Sequence, residues 1–351
     1  MASLMTLKIN SYIFMGLLVL IFMGFMGIVS LIIGIAYGIA SPTFYMGFIT
    51  VVTAIAIFFQ IAMASTIVKW TTHTRDLAPG ENKFLDETVA RLSKKAGITP
   101  PKLGMVEDHT PNAFVFGLTQ AGAQLSVHRG LLEQLNKVEI EAVLAHEIGH
   151  IKNRDCMYMT FLSVIPLIAY WGMHMLYFGR GGGKKGGGVI ILIGLLSLMV
   201  YGITSLLIKK VSRIREFYAD AYSGYITEDP HALASALTKI TYGLSLAPPE
   251  QKQNSGARSF YIGDVQNAQN EINRIMKNKN KYDLDGDGVI DENELEKAMA
   301  DEANRSAWDS LSGIMSTHPP TFKRILALKD MEKEMDKGQI RQDNIYDKVE
   351  F

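Results

Sequence analysis

The sequence predicts an α+β chain, mainly α, in which four transmembrane helices alternate with charged soluble segments. Three observations carry this reading. No charged residue stands between Lys8 and Lys69. Two further apolar runs, residues 156–178 and 189–208, flank a glycine-rich connector. Within the charged remainder, Val138, Ile140, Val143, Leu144 and Ile148 follow the apolar spacing of a helix with one buried face.

A span takes about 20 apolar residues, so the stretch between Lys8 and Lys69 holds two helices. The break falls at Ser41-Pro42. A cleaved signal peptide is excluded by the length of the run and by the second run behind it. The third and fourth spans are joined by Arg180-Gly-Gly-Gly-Lys-Lys-Gly-Gly-Gly188, a flexible connector. For this second pair, a buried hairpin of a soluble core and segments that dip into the bilayer without crossing both compete with full spans.

Paired spans put the N-terminus and every soluble segment on one side of the membrane. Lys8, Lys69, Arg75, Lys152, Arg154, Lys209, Lys210, Arg213 and Arg215 lie near span ends on that side, against Arg180, Lys184 and Lys185 on the other. The positive-inside rule then predicts a multi-pass protein of the cell membrane with its soluble part in the cytoplasm. The expected organisation is a first membrane hairpin (1–70), a soluble part (71–155), a second hairpin (156–208), a second soluble part (209–264), an insertion (265–305) and a closing part with a charged tail (306–351). The 35 basic residues balance the 35 acidic ones, so no charge bias argues for nucleic acid. Cys156 is the single cysteine, which excludes an intramolecular disulfide.

The run 138–152 contains His146-Glu147-Ile148-Gly149-His150. Residues four apart share a helix face, so both histidines reach one ion, and zinc is the metal this pattern suits. Glu147, one position round, is placed to take a proton from attacking water. Gly149 costs about 1 kcal/mol in a helix interior, which points to close approach by another backbone. Zinc takes a third protein ligand. By spacing alone Glu216 is the best candidate and Asp155 competes. Asp220 shares a helix face with Glu216 and is suited to accept the free ring N–H of a ligand histidine. A helix continuing unbroken from His150 to Cys156 would put the site about 9 Å from the start of the third span, and hence near the membrane surface.

At this point the sequence resembles a known family. AVLAHEIGHIKNRD, a hydrophobic hairpin and SRIREFYADAYSG are similar to the HtpX-type membrane metallopeptidases, relatives of the CAAX-prenyl endoproteases. HTRDL (73–77), PNAFVFG (111–117) and STHPPTFKRI (316–325) fit the same pattern, and the likeness covers about residues 5–260 and 306–328. The resemblance implies a zincin-type domain with a small sheet and one zinc ion per chain, with Glu216 as third ligand and Glu147 as base. It implies that Asn112 to Gly117 form an edge strand, where Asn112, Ala113, Phe114 and Val115 take extended substrate as an added strand. It places His318 near the metal as an oxyanion stabiliser, with Arg324 supporting that region. It also implies endoproteolysis of membrane or misfolded proteins in quality control and stress response. Oligomeric state stays open.

Between about 265 and 305 the chain departs from that family. Asp283, Asp285, Asp287, Gly288, Val289, Asp291 and Glu294 match the fixed positions of a calcium-binding EF-hand loop. Residues 265–282 are expected as its entering helix and 292–303 as its exiting one. A membrane calcium sensor that does not cut is the rival reading, and the intact Glu147 argues against it. A peptidase that trims prenylated tails is a third, with more spans than this chain has.

Overall fold

The computed structural model describes residues 4–38, 42–178, 187–246, 262–263, 265–287, 290–303, 316–338, 340 and 345. In chain order the elements are α1 (Leu4–Tyr37), α2 (Pro42–Thr72), β1 (Arg75–Asp76), α3 (Lys83–Ala96), β2 (Lys102–Val106), β3 (Ala113–Phe116) and β4 (Gln124–His128). There follow α4 (Arg129–Gln134), α5 (Lys137–Lys152), α6 (Asp155–Phe178), α7 (Gly187–Thr227) and α8 (Pro230–Ser245). The C-terminal part adds α9 (Val265–Lys277), α10 (Lys279–Tyr282), α11 (Glu292–Ala303) and α12 (Thr321–Asp336).

These fall into two units. One comprises Thr6–Ala64 and Tyr158–Val211, the other Met1–Met5, Ser65–Met157 and Ser212–Phe351. The described elements of the first are all helices. Its cores are small: Phe25, Val29, Ala169, Ile193 and Val200 form one, and Leu18, Leu162, Ile165 and Val211 another. Much of its apolar surface faces outward, with Leu20, Ile35, Phe58 and Trp171 each more than 60% exposed. Helices that are apolar on both their packed and their open faces suit a lipid surround. Gly16–Ala36, Asp155–His174 and Gly187–Thr227 are long and apolar enough to cross a membrane. A fourth is reached if Thr53–Gln60 and Ala62–Thr72, bent by 45°, form one span. Of the expected connector, Gly187 and Gly188 begin α7, and the rest lies outside the described residues.

The second unit carries the sheet, ordered β1-β2-β4-β3. β2 and β4 run parallel, while β3 is antiparallel to β4, pairing Ala113 with Val127 and Val115 with Leu125. β3 is therefore an edge strand. Gly117, at φ 118°, turns the chain away from it. Helix α5 begins with a capping box: Asn136 accepts from Val138 and Glu139 amides, and Glu139 reaches back to the Asn136 N–H at 2.8 Å. The other Glu139 oxygen accepts from Ser235 and Lys239 of α8, each at 2.7 Å. Gly149 meets α7, as expected. A Cβ there would lie 3.1 Å from the Tyr222 ring and 3.4 Å from the Ala219 Cα.

Two expectations are corrected. The metal helix does not continue toward Cys156: α5 stops at Lys152, and Arg154 adopts φ 57° before α6 starts. The distance drawn from an unbroken helix therefore lapses. The entering helix 265–282 is broken at Asn278 into α9 and α10. Residues 265–287 and 290–303 belong to the sheet-bearing unit, with Ala268, Ile272, Leu295 and Met299 buried. α9 and α11 pack on α8, and α11 also packs on α12.

Candidate metal centre

His146 and His150 project from successive turns of α5, and Glu216 comes from α7. One ligand atom from each lies within 4.8 Å of the others. The two Nε2 atoms are 3.1 Å apart, and each is 3.7 Å from a Glu216 carboxylate oxygen. The opposite ring nitrogens are also engaged. His146 Nδ1 lies 2.9 Å from Asp220 Oδ1, and His150 Nδ1 lies 2.7 Å from Asp155 Oδ2. Ionised carboxylates only accept, so both Nδ1 atoms carry the proton and both Nε2 atoms present lone pairs.

Lone pairs facing one another at 3.1 Å repel unless a cation holds them. Glu216 Oε2, buried and receiving no hydrogen bond, adds negative charge at the same place. Two zinc–nitrogen bonds of usual length at a tetrahedral angle separate their nitrogens by about 3.3 Å. The residues therefore fit a divalent cation. Burial holds the His146 pKa below its ordinary value against the pull of Asp220. The ring stays neutral, as a ligand must.

Asp155, the competitor for the third position, thus engages His150 on the ring nitrogen remote from Glu216. Arg324 of α12 is completely buried at 1% exposure. Its Nε and Nη2 donate to Asp220 at 2.8 and 2.6 Å, and its Nη1 donates to the Ile262 carbonyl at 2.6 Å. That Nη1 is also 3.3 Å from Glu216 Oε2. Burial opposes the Arg324 charge, but Asp220 and then Glu216 outweigh it and raise its pKa. His318, in the turn before α12, puts Nδ1 3.4 Å from Glu216 Oε1. Glu147 is buried beside the ligands. Burial pushes its carboxyl up to about 8, against the opposing pull of His150. A cation at the ligands acts in the same sense as His150.

Asn112 precedes the edge strand, and its side chain turns inward. Its Oδ1 accepts from the Ile262 N–H at 2.9 Å and its Nδ2 lies 3.4 Å from His128 Nε2. Ala113 and Phe114 are buried, and Val115 is half-buried. The Val115 carbonyl accepts from Cys156 Sγ. The sequence reading missed Arg215, whose guanidinium pairs with Asp155. A basic residue next to an acidic one on a helix reads as solvated, and only its burial here, at 4% exposure, distinguishes it.

Far along the chain, Asp283, Asp285 and Asp287 bring carboxylate oxygens within 4.8 Å of one another. Glu294 Oε1 accepts from the Leu284 amide at 2.5 Å, and Oε2 from the Asp291 amide at 3.1 Å. Asp291 caps the Glu294 N–H at 2.8 Å. Gly288 and Val289 lie outside the described residues.

Comparison with known proteins agrees with this chemistry. The model of peptidase family M48 matches residues 79–332. The chain belongs to peptidase family M48. It is 33% identical to Protease HtpX homolog 2 of Methanosarcina acetivorans over 86% of this chain and 89% of that one. It is 36% identical to Protease HtpX homolog of Methanothermobacter thermautotrophicus over 72% of this chain and 92% of that one. A crystal structure of S. mikatae Ste24p aligns at 18% identity with a TM-score of 0.41, covering 67% of this chain and 59% of that one. This M48 member is a multi-pass membrane metalloprotease of the HtpX type.

Proposed function

We propose that the chain is a zinc endopeptidase that cuts membrane or misfolded proteins close to the bilayer in protein quality control, with its catalytic part on the cytoplasmic side. One observation carries the zinc reading: two imidazole lone pairs and a buried carboxylate converge, with both imidazoles held from behind by carboxylates. His146, His150 and Glu216 would hold the ion. When bound, zinc supplies Lewis-acid chemistry that polarises a carbonyl and acidifies water.

This chain's residues do the rest. Glu147 takes the proton from attacking water and returns it to the leaving amine, a role that a carboxyl poised near neutrality serves well. His318 offers an N–H to the oxyanion of the tetrahedral intermediate. Arg324 holds Glu216 and Asp220. The outer edge of β3, through the backbone of Ala113 and Val115, takes extended substrate as a further antiparallel strand. Asn112 serves this edge by tying it to Ile262 rather than by touching substrate. The loop from Asp283 to Glu294 binds calcium, with Asp283, Asp285, Asp287, the Val289 carbonyl, Asp291 and Glu294 as ligands.

The zinc reading is tested with Glu216→Ala in the full-length chain, purified in detergent. The parent should retain about one zinc per chain and cleave an unfolded membrane protein. The variant should release zinc at low chelator and lose cleavage. Tight zinc in the variant would mean another third ligand.

A further inference from the structure

Each ligand histidine is backed by a carboxylate, and each carboxylate by a buried arginine. The first relay runs His146–Asp220–Arg324. The second runs His150–Asp155–Arg215. We propose that Asp155 and Arg215 are positioning residues of the metal centre, fixing His150 against Glu216. This rests on the zinc reading above.

The argument is one of connectivity. His150 stands in the last turn of α5, Asp155 is the first residue of α6, and Arg215 belongs to α7. The α5–α6 turn at Asn153–Arg154 brings Asp155 back beneath the His150 ring. One Asp155 oxygen takes the ring N–H at 2.7 Å, and the other pairs with the Arg215 guanidinium. A single carboxylate therefore ties three elements together at one point. Arg215 is the covalent neighbour of Glu216, so the pair sets how far the α7 ligand stands from the α5 ligand.

The other relay reaches the same residue by another route, since Arg324 Nη1 lies 3.3 Å from Glu216 Oε2. Both arginines thus converge on Glu216, one through its side chain and one through its backbone. Stability alone gives little reason for Asp155 and Arg215, which are 5% and 4% exposed. A buried ion pair roughly breaks even against apolar packing. Nor does a plain staple between helices need its carboxylate on a histidine ring nitrogen. That third contact fixes the tautomer and aim of the ligand, and such partners typically govern 10–100-fold in metal affinity.

The test uses the full-length chain in detergent, with zinc affinity from chelator competition and melting temperature with and without zinc. Asp155→Asn and Arg215→Gln should each weaken zinc binding roughly 10–100-fold and shrink the rise in melting temperature that zinc gives. Arg215 acts through Asp155, so the double variant should be no worse than Asp155→Asn alone. Asp155→Asn combined with Asp220→Asn should weaken zinc more than either alone, because the two carboxylates hold different histidines. If Asp155→Asn does not fold, Arg215→Lys carries the test. It keeps the charge but not the fork, and should fall between parent and Arg215→Gln. Variants that melt lower without zinc yet bind it as tightly as the parent would overturn the proposal and leave a structural staple. Fully additive losses in the Asp155/Arg215 double variant would also overturn it. A parent without zinc overturns the zinc reading first.

Discussion

The two acidic clusters of this molecule are opposites in construction. The ligands at the metal centre come from α5 and α7, and each is held by a second side chain that is itself buried and partnered. The acidic residues of the loop at Asp283–Glu294 come from one short stretch. Asp285 and Asp287 are exposed, and only Glu294 is deeply buried. The first site is assembled by the fold, its ligand side chains held by partners on α6, α7 and α12. In the second, a bound cation would have to gather carboxylates that otherwise repel one another. Preorganised sites suit chemistry, where a small misplacement is costly. Gathered sites suit response to ion concentration.

The largest effect expected from this contrast is at Glu147. Glu147→Gln keeps size and leaves His146, His150 and Glu216 in place, but an amide cannot accept the proton. Cleavage should fall by about 10²–10⁴-fold while zinc per chain stays at the parent's value. Unchanged cleavage by the pure variant would refute the assignment of the base. His318→Ala comes next. An oxyanion donor is worth about 10²–10³ in kcat, and substrate KM should change little. If KM rises and kcat holds, His318 contacts ground-state substrate instead. Asp220→Asn is smaller again, about 10–100-fold in zinc affinity. It removes the carboxylate that Arg324 grips with two hydrogen bonds, so metal-free melting should drop as well.

The same contrast explains what is legible in the chain. Helix α5 can be read because its signals are local: the apolar spacing from Val138 to Ile148, and His146 and His150 four apart. The spacing that brings Asp283, Asp285 and Asp287 together is local in the same way. Gly149, costly inside a helix, likewise signals the approach of α7 from its own position alone. Residues whose meaning depends on distant partners are not legible. Arg324 meets Asp220 across 104 positions, and periodicity gives no hint of that pairing. Asp155 looks like an ordinary acidic residue in a first helical turn until the turn at Arg154 swings it under His150. The sheet order, with parallel β2 and β4 side by side and β3 outside, depends on packing rather than on local pattern.

The smallest effect expected is that of calcium on rate, and it asks whether the two sites communicate. The physical path is short. Glu271 of α9, the first part of the broken helix that leads to the loop through α10, accepts from the Thr321 N–H at 3.2 Å, at the first residue of α12. Glu296 of α11, the helix leaving it, meets Lys329 of α12 at 3.2 Å. α12 carries Arg324, and the His318 turn leads directly into it. A cation that fixes the loop fixes α9 and α11 relative to each other, and both hold α12. Ordering there aligns His318 with the developing oxyanion, so calcium should act on kcat rather than on zinc affinity. The expected rise from chelator to millimolar calcium is about fivefold, the low end of coupling between sites. Glu294→Gln weakens a carboxylate ligand without changing its size. It should move the midpoint to higher calcium and leave zinc content at the parent's level. A parent rate that stays flat across the titration, with a melting temperature that still climbs, would reduce the loop to a stabilising clamp. The contrast would then be between a working site and a structural one.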